Sequence, residues 1–93
     1  MCFNKYRNTI KGAFALVISY LNVVGADKNS RRKSIEMVTE YLADNGVCLD
    51  LVDSALLPIK IVRAGYEVVA KNRSKEQALI MLSISTKLNL DVA

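Results

Sequence analysis

At 93 residues the chain is long enough for one hydrophobic core and too short for two, so residues 1–93 are read as one helical domain. An apolar share of 52% with 24% charged residues excludes wholesale disorder, and the net charge of +4 points away from basic partners. With no histidine and only Cys2 and Cys48, Ser-His-Asp and Cys-His nucleophiles and His- or Cys-rich zinc sites are excluded; no metal site and no cofactor are expected.

Two isolated thiols without C-x-x-C spacing suit a reducing compartment and leave a single disulfide open. Lys5, Arg7 and Lys11 precede an apolar run, but no small-residue cleavage site follows it. A cytoplasmic protein is the expectation. The high apolar share in so short a chain also points to a homo-oligomer.

In chain order, Phe3, Tyr6, Ile10, Phe14, Val17, Leu21 and Val24 recur at three- and four-residue steps, one face of an α-helix. From Ala13 the opposite face is apolar too, through Ala15, Leu16, Ile18 and Val23, which predicts a helix buried on several sides. The run from Ile10 to Val24 contains Ser19 and Asn22 and falls short of the roughly 20 apolar residues a membrane span needs. It is therefore taken as the central helix of the fold, from about Phe3 to Val24, with Gly25 as its stop and no transmembrane span.

The second helix is expected to be capped by Asn29 or Ser30. Ile35, Val38, Tyr41 and Leu42 form its inner stripe, Glu36, Glu40 and Asp44 its wet side, and Asn45-Gly46 its end. The segment IKIVRAGYEVV admits a hairpin turning near Arg63-Ala64-Gly65, but a helical stripe through Leu51, Ala55, Ile59, Val62, Tyr66 and Val69 fits better, with Asp50 as N-cap. Asp53, Lys60, Glu67 and Lys71 trace its opposite face. Pro58 then requires either a kink or a break, with a short helix from Leu51 to Leu56 and a longer one starting near Pro58. Ser74-Lys75-Glu76-Gln77 has the form of a capping box and opens a last helix to about Leu88, carrying Ala78, Leu79, Ile80, Met81, Leu82 and Ile84 over a wide arc; residues 89–93 are expected to fray. The fold class is thus all-α, a small bundle of about four helices with the third kinked or broken near Pro58.

Charge supplies the candidate site. Lys28, Arg31, Arg32 and Lys33 crowd the start of the second helix, where free N–H groups and cations can converge on an anion. Lys71, Arg73 and Lys75 flank the start of the last helix in the same way, and both groups also suit a plain solvated surface. No Gly-rich phosphate loop accompanies either group, so a nucleotide pocket is not supported. A helix-turn-helix through Gly46 would open its recognition helix on Cys48, Asp50, Asp53 and Ser54, where the carboxylates repel phosphate and the usual Arg or Lys base-edge donors are missing until Lys60. The aromatics fall on apolar stripes and read as core, and Cys48 as a small buried hydrophobe. Nothing combines a nucleophile, a base and an oxyanion site, so an enzyme is not expected. The expectation is a non-enzymatic helical binding or regulatory protein of inhibitor, immunity or accessory-factor type. Its partner is another protein, of acidic character, and the chain self-associates. The alternative is a basic nucleic-acid accessory factor using non-specific phosphate contacts.

Overall fold

Four helices make up the described residues, 7–47 and 56–86, of this computed structural model: α1 (Arg7–Val24), α2 (Lys28–Asp44), α3 (Leu57–Val69) and α4 (Lys75–Thr86). The all-α class follows, and no strand occurs among the described residues. None of these helices is long and apolar enough to cross a membrane. Residues 3–6 of the expected first helix, Cys2, Cys48, the Asp50 cap, the Leu51–Ala55 stretch, Leu88 and the fraying tail lie outside the described residues.

Local chemistry sets the helix ends. Gly25, at φ +90°, turns the chain into the left-handed region and donates its amide to the Leu21 carbonyl at 2.8 Å. The cap of α2 is Asp27, not Asn29 or Ser30: Asp27 Oδ1 accepts the Ser30 amide at 2.9 Å and the Ser30 hydroxyl at 3.0 Å. A carboxylate suits the positive end of the helix dipole, and starting there turns Ser30 inward, where it is buried. At the far end Gly46, at φ +78°, donates to the Ala43 carbonyl and Val47 to the Leu42 carbonyl, both at 3.0 Å. Leu42 and Val47 are buried in the core, the apolar pairing that accompanies this turn.

The segment that admitted a hairpin is helical. α3 starts at Leu57 with Pro58 in its first turn, where the missing N–H deprives the helix of no hydrogen bond. The buried residues of α3 are Leu57, Pro58, Ile61, Val62, Ala64 and Gly65, so the stripe counted from Leu51 is displaced: Ile59 is 40% exposed and Tyr66 and Val69 are half-buried. Helical register counts afresh from Leu57, and α3 packs against α1, α2 and α4, which buries more than one face.

The central position expected of the first helix therefore belongs to α3. α1 packs chiefly against α3 and α2, burying Ile10, Ala13, Phe14, Val17, Ile18 and Leu21. Its second apolar face is divided: Ile18 is buried and Leu16 half-buried, whereas Ala15 is exposed and Val23 is 84% exposed. In α4, opened by Ser74 Oγ accepting the Gln77 amide at 3.1 Å, Ala78 and Leu82 are buried while Ile80 and Met81 are 44% and 47% exposed. The expected wide arc is only half covered.

Where α1 crosses α3 the contact is as close as glycine allows. A Cβ added at Gly65 would overlap Val17 Cγ1 and stand 3.3 Å from Val17 Cβ, and Val17 is itself buried. At Gly12 an added Cβ would meet the Tyr41 hydroxyl at 2.6 Å, the far end of a side chain that can swing aside. Alanine ordinarily favours a helix interior over glycine by about 1 kcal/mol. Gly12→Ala is therefore expected to be neutral or stabilising in chemical denaturation. Gly65→Ala should instead destabilise by about 1–3 kcal/mol through overpacking, and Val17→Ala in the same chain should recover part of that loss.

Candidate partner-binding groove

The first turn of α2 meets the last turns of α3 through Tyr66. Its hydroxyl donates to the Asp27 carbonyl, and the Arg31 guanidinium lies 5.1 Å from the centre of its ring. Burial raises the Tyr66 pKa above the usual phenol value, with the Arg31 charge opposing. The Asp27 carboxyl is held below its ordinary range by hydrogen bonds from the Ser30 amide and hydroxyl. Tyr66, expected in the core, is half-buried against it and stands on the seam, joining the Asp27 backbone to the Arg31 side chain. Ala26, Asp27, Lys28, Arg31 and Tyr66 line a shallow depression of about 310 Å³.

On its other side Arg31 opens a narrower groove between α2 and α3. Arg31 and Ile35 form one wall, Ile59, Val62 and Arg63 the other, around about 90 Å³. Arg63, absent from the predicted site, is the residue that sequence reasoning missed. It lies 32 positions from Arg31, and only the packing of α2 on α3 brings the two together. The available signal was helical spacing: Ile59, Val62, Arg63 and Tyr66 share one face once the segment is taken as helix. Arg63 also borders a cavity of about 150 Å³ between α3 and α4, with Lys60, Glu67, Met81 and Leu82.

The other predicted basic residues divide. Lys28 lines the depression beside Arg31, whereas Arg32 and Lys33 are exposed on other sides of α2, each residue turning about 100° around the helix. Lys71 Nζ is 3.1 Å and Arg73 Nε 3.0 Å from the Glu67 carboxylate, whose side chain is only 13% exposed. Those two bases serve the fold, fastening the α3–α4 turn in which Asn72 takes φ +55° and the Arg73 amide donates to the Glu67 carbonyl. Lys75 is exposed at the first position of α4. Tyr66 thus engages Arg31 and its neighbour Glu67 engages Lys71 and Arg73, holding the two basic groups on different sides of the same helix end. No group of three or more potential metal ligands occurs among the described residues.

No protein-family model, no curated protein and no solved structure matches the chain.

Two measurements test these contacts. The Glu67 pKa is lowered from 4.5, first by the hydrogen bond from Lys71 and then by the charges of Lys71 and Arg73. A carboxyl with a depressed folded pKa stabilises above its unfolded value and loses that contribution as pH falls through the folded one. Glu67→Gln should therefore lower the melting temperature at neutral pH, with the variant and wild-type curves converging as pH drops below 4.5. Tyr66→Phe keeps the ring under Arg31 and loses the bond to Asp27, so it should cost about 1 kcal/mol. Tyr66→Ala, which removes the ring as well, should cost clearly more in the same denaturation series.

Proposed function

We propose that this chain is a non-enzymatic helical binding module, of inhibitor, immunity or accessory-factor type, whose groove between α2 and α3 receives an acidic amphipathic segment of another protein. The observation that carries the reading is the pairing of Arg31 and Arg63 across an apolar floor of Ile35, Ile59 and Val62. A helix laid in such a groove sets apolar residues on the floor at three- and four-residue steps, and carboxylates between them reach the two guanidinium forks. Arginine suits this task better than lysine because its planar fork meets a carboxylate with two parallel hydrogen bonds. Neither arginine pairs with a carboxylate among the described residues, and the net charge of +4 steers an acidic partner inward. No cofactor enters the reading.

Non-specific phosphate contact is the second reading, supported by Arg32, Lys33 and Lys75 on the exposed surface. A phosphate backbone has no use for the apolar floor, which favours the protein partner. Affinity capture from nuclease-treated extract distinguishes the two, with wild type and Arg31→Glu/Arg63→Glu as parallel baits. The expected result is one acidic protein held by wild type and lost by the variant, its affinity falling about 100-fold or more. The variant should melt within a few degrees of wild type, since both arginines are exposed. Equal retention by both baits would remove the groove from consideration. Capture abolished by nuclease, together with DNA or RNA binding that weakens steeply between about 50 and 200 mM salt, would favour the nucleic-acid reading.

A further inference from the structure

We propose that the cavity between α3 and α4 is a binding site for a small carboxylate whose apolar body is about the size of one six-membered ring. Its volume is about 150 Å³, and Lys60, Arg63, Ala64, Glu67, Met81 and Leu82 line it. An apolar cavity of like size takes up benzene. The floor here is apolar: Ala64 and Leu82 belong to the buried core, and Met81, 47% exposed, walls one side. Methionine is flexible and polarisable, so a wall made of it adapts to a ring. Water on such a floor finds few hydrogen-bond partners and is displaced at little cost.

The mouth is charged, and its charges select the other end of the ligand. Lys60, Arg63 and Glu67 stand at three- and four-residue steps on one face of α3. The Glu67 carboxylate is held by Lys71 at 3.1 Å and by Arg73 at 3.0 Å, so its charge is met within the fold. Lys60, which has an interaction of its own, adds its charge to the mouth, and Arg63 supplies the anchor. Arg63 has no carboxylate among the described residues within ion-pair distance, and its planar fork takes a carboxylate through two parallel hydrogen bonds. A ring on the floor with its carboxylate at Arg63 satisfies both halves at once. A cation would face two bases, and a neutral molecule would leave the fork to water. Arg63 also walls the α2–α3 groove, but Arg31, Ile35, Ile59 and Val62 do not line the cavity, so the site does not depend on what the groove holds.

NMR of the full chain labelled with methyl-¹³C methionine tests the proposal, because Met81 lines the cavity whereas Met37 lies on α2. Benzoate is the probe. The expected result is a saturable movement of the Met81 signal, half complete at about 1 mM or below, with Met37 unmoved. Benzamide, which keeps the shape and drops the charge, and acetate, which keeps the charge and drops the ring, should each bind at least about tenfold more weakly. Arg63→Gln should weaken benzoate about tenfold or more. Arg31→Gln, which alters the groove and not the cavity, should leave it unchanged, so loss of a groove partner and loss of this site are read separately. Both arginines are exposed, and an unshifted Met37 signal reports that each variant is folded. No saturable movement of Met81 up to about 20 mM benzoate would overturn the proposal. Equal affinity for benzamide or acetate would overturn it too, as would an unchanged benzoate affinity in folded Arg63→Gln or an equal loss in Arg31→Gln. Should Arg63→Gln fail to fold, the comparison of benzoate with benzamide on wild type decides.

Discussion

The contact of Gly65 with Val17 is the constraint on which the rest of this structure depends. A residue without a Cβ lets α1 lie against the middle of α3, and α3 then has sides left for α2 and α4. A helix enclosed by three others has little surface for long side chains, so those that remain emerge at the seams. Arg63 and Tyr66 emerge towards α2, Glu67 towards the turn into α4. Each seam residue does something a plain surface residue does not: Tyr66 holds the start of α2, Glu67 holds two bases, and Arg63 faces Arg31. Site and core therefore share one cause.

Much of the fold was legible because helix ends are written locally. Gly25, Asn45-Gly46 and Ser74 act through their own φ angles or through bonds three to five residues away, and such spacings survive in a bare sequence. Asp27 is the exception, because Asn29 and Ser30 stand nearer the apolar run and offer the same side-chain chemistry. A cap sits outside the helix by definition, and the inward Ser30 marked its third position. The buried stripe of α3 was misplaced for a different reason. Periodicity was carried through Pro58 from Leu51, and a phase set on one side of a proline need not hold on the other. The central role given to α1 rested on its apolar content, which does not distinguish a helix covered on all sides from one that keeps an uncharged face outward. In sequence Gly65 offers turn chemistry only to the less favoured hairpin, whereas its part in a close crossing depends on a partner 48 residues away.

The candidate site was legible in part, and physics explains the division. Runs of like charge are visible in sequence, but whether a base is spoken for depends on where carboxylates fold. Lys71 and Arg73 are claimed by Glu67, four residues before one and six before the other, a pairing within reach of sequence had Glu67 not been read as a wet-face residue. Arg31 and Arg63 needed the tertiary packing of two helices to become neighbours.

Two guanidinium groups across one groove repel each other, and folding alone gives no reason to hold them there. The ring of Tyr66 offsets part of this at Arg31 by offering its negative face, yet its hydroxyl is already committed to the Asp27 carbonyl. At Arg63 no carboxylate among the described residues lies within ion-pair distance, and Glu67, one turn on, is engaged by Lys71 and Arg73. An exposed pair of cations in water carries only a modest penalty, because solvent screens it. Closing the groove with an apolar segment expels that solvent and raises the repulsion, unless the segment brings its own carboxylates. The same arrangement that tolerates two free arginines in water thus discriminates strongly once it is covered: an acidic amphipathic segment relieves the charge as it buries the floor, whereas a neutral or basic one of equal shape aggravates it.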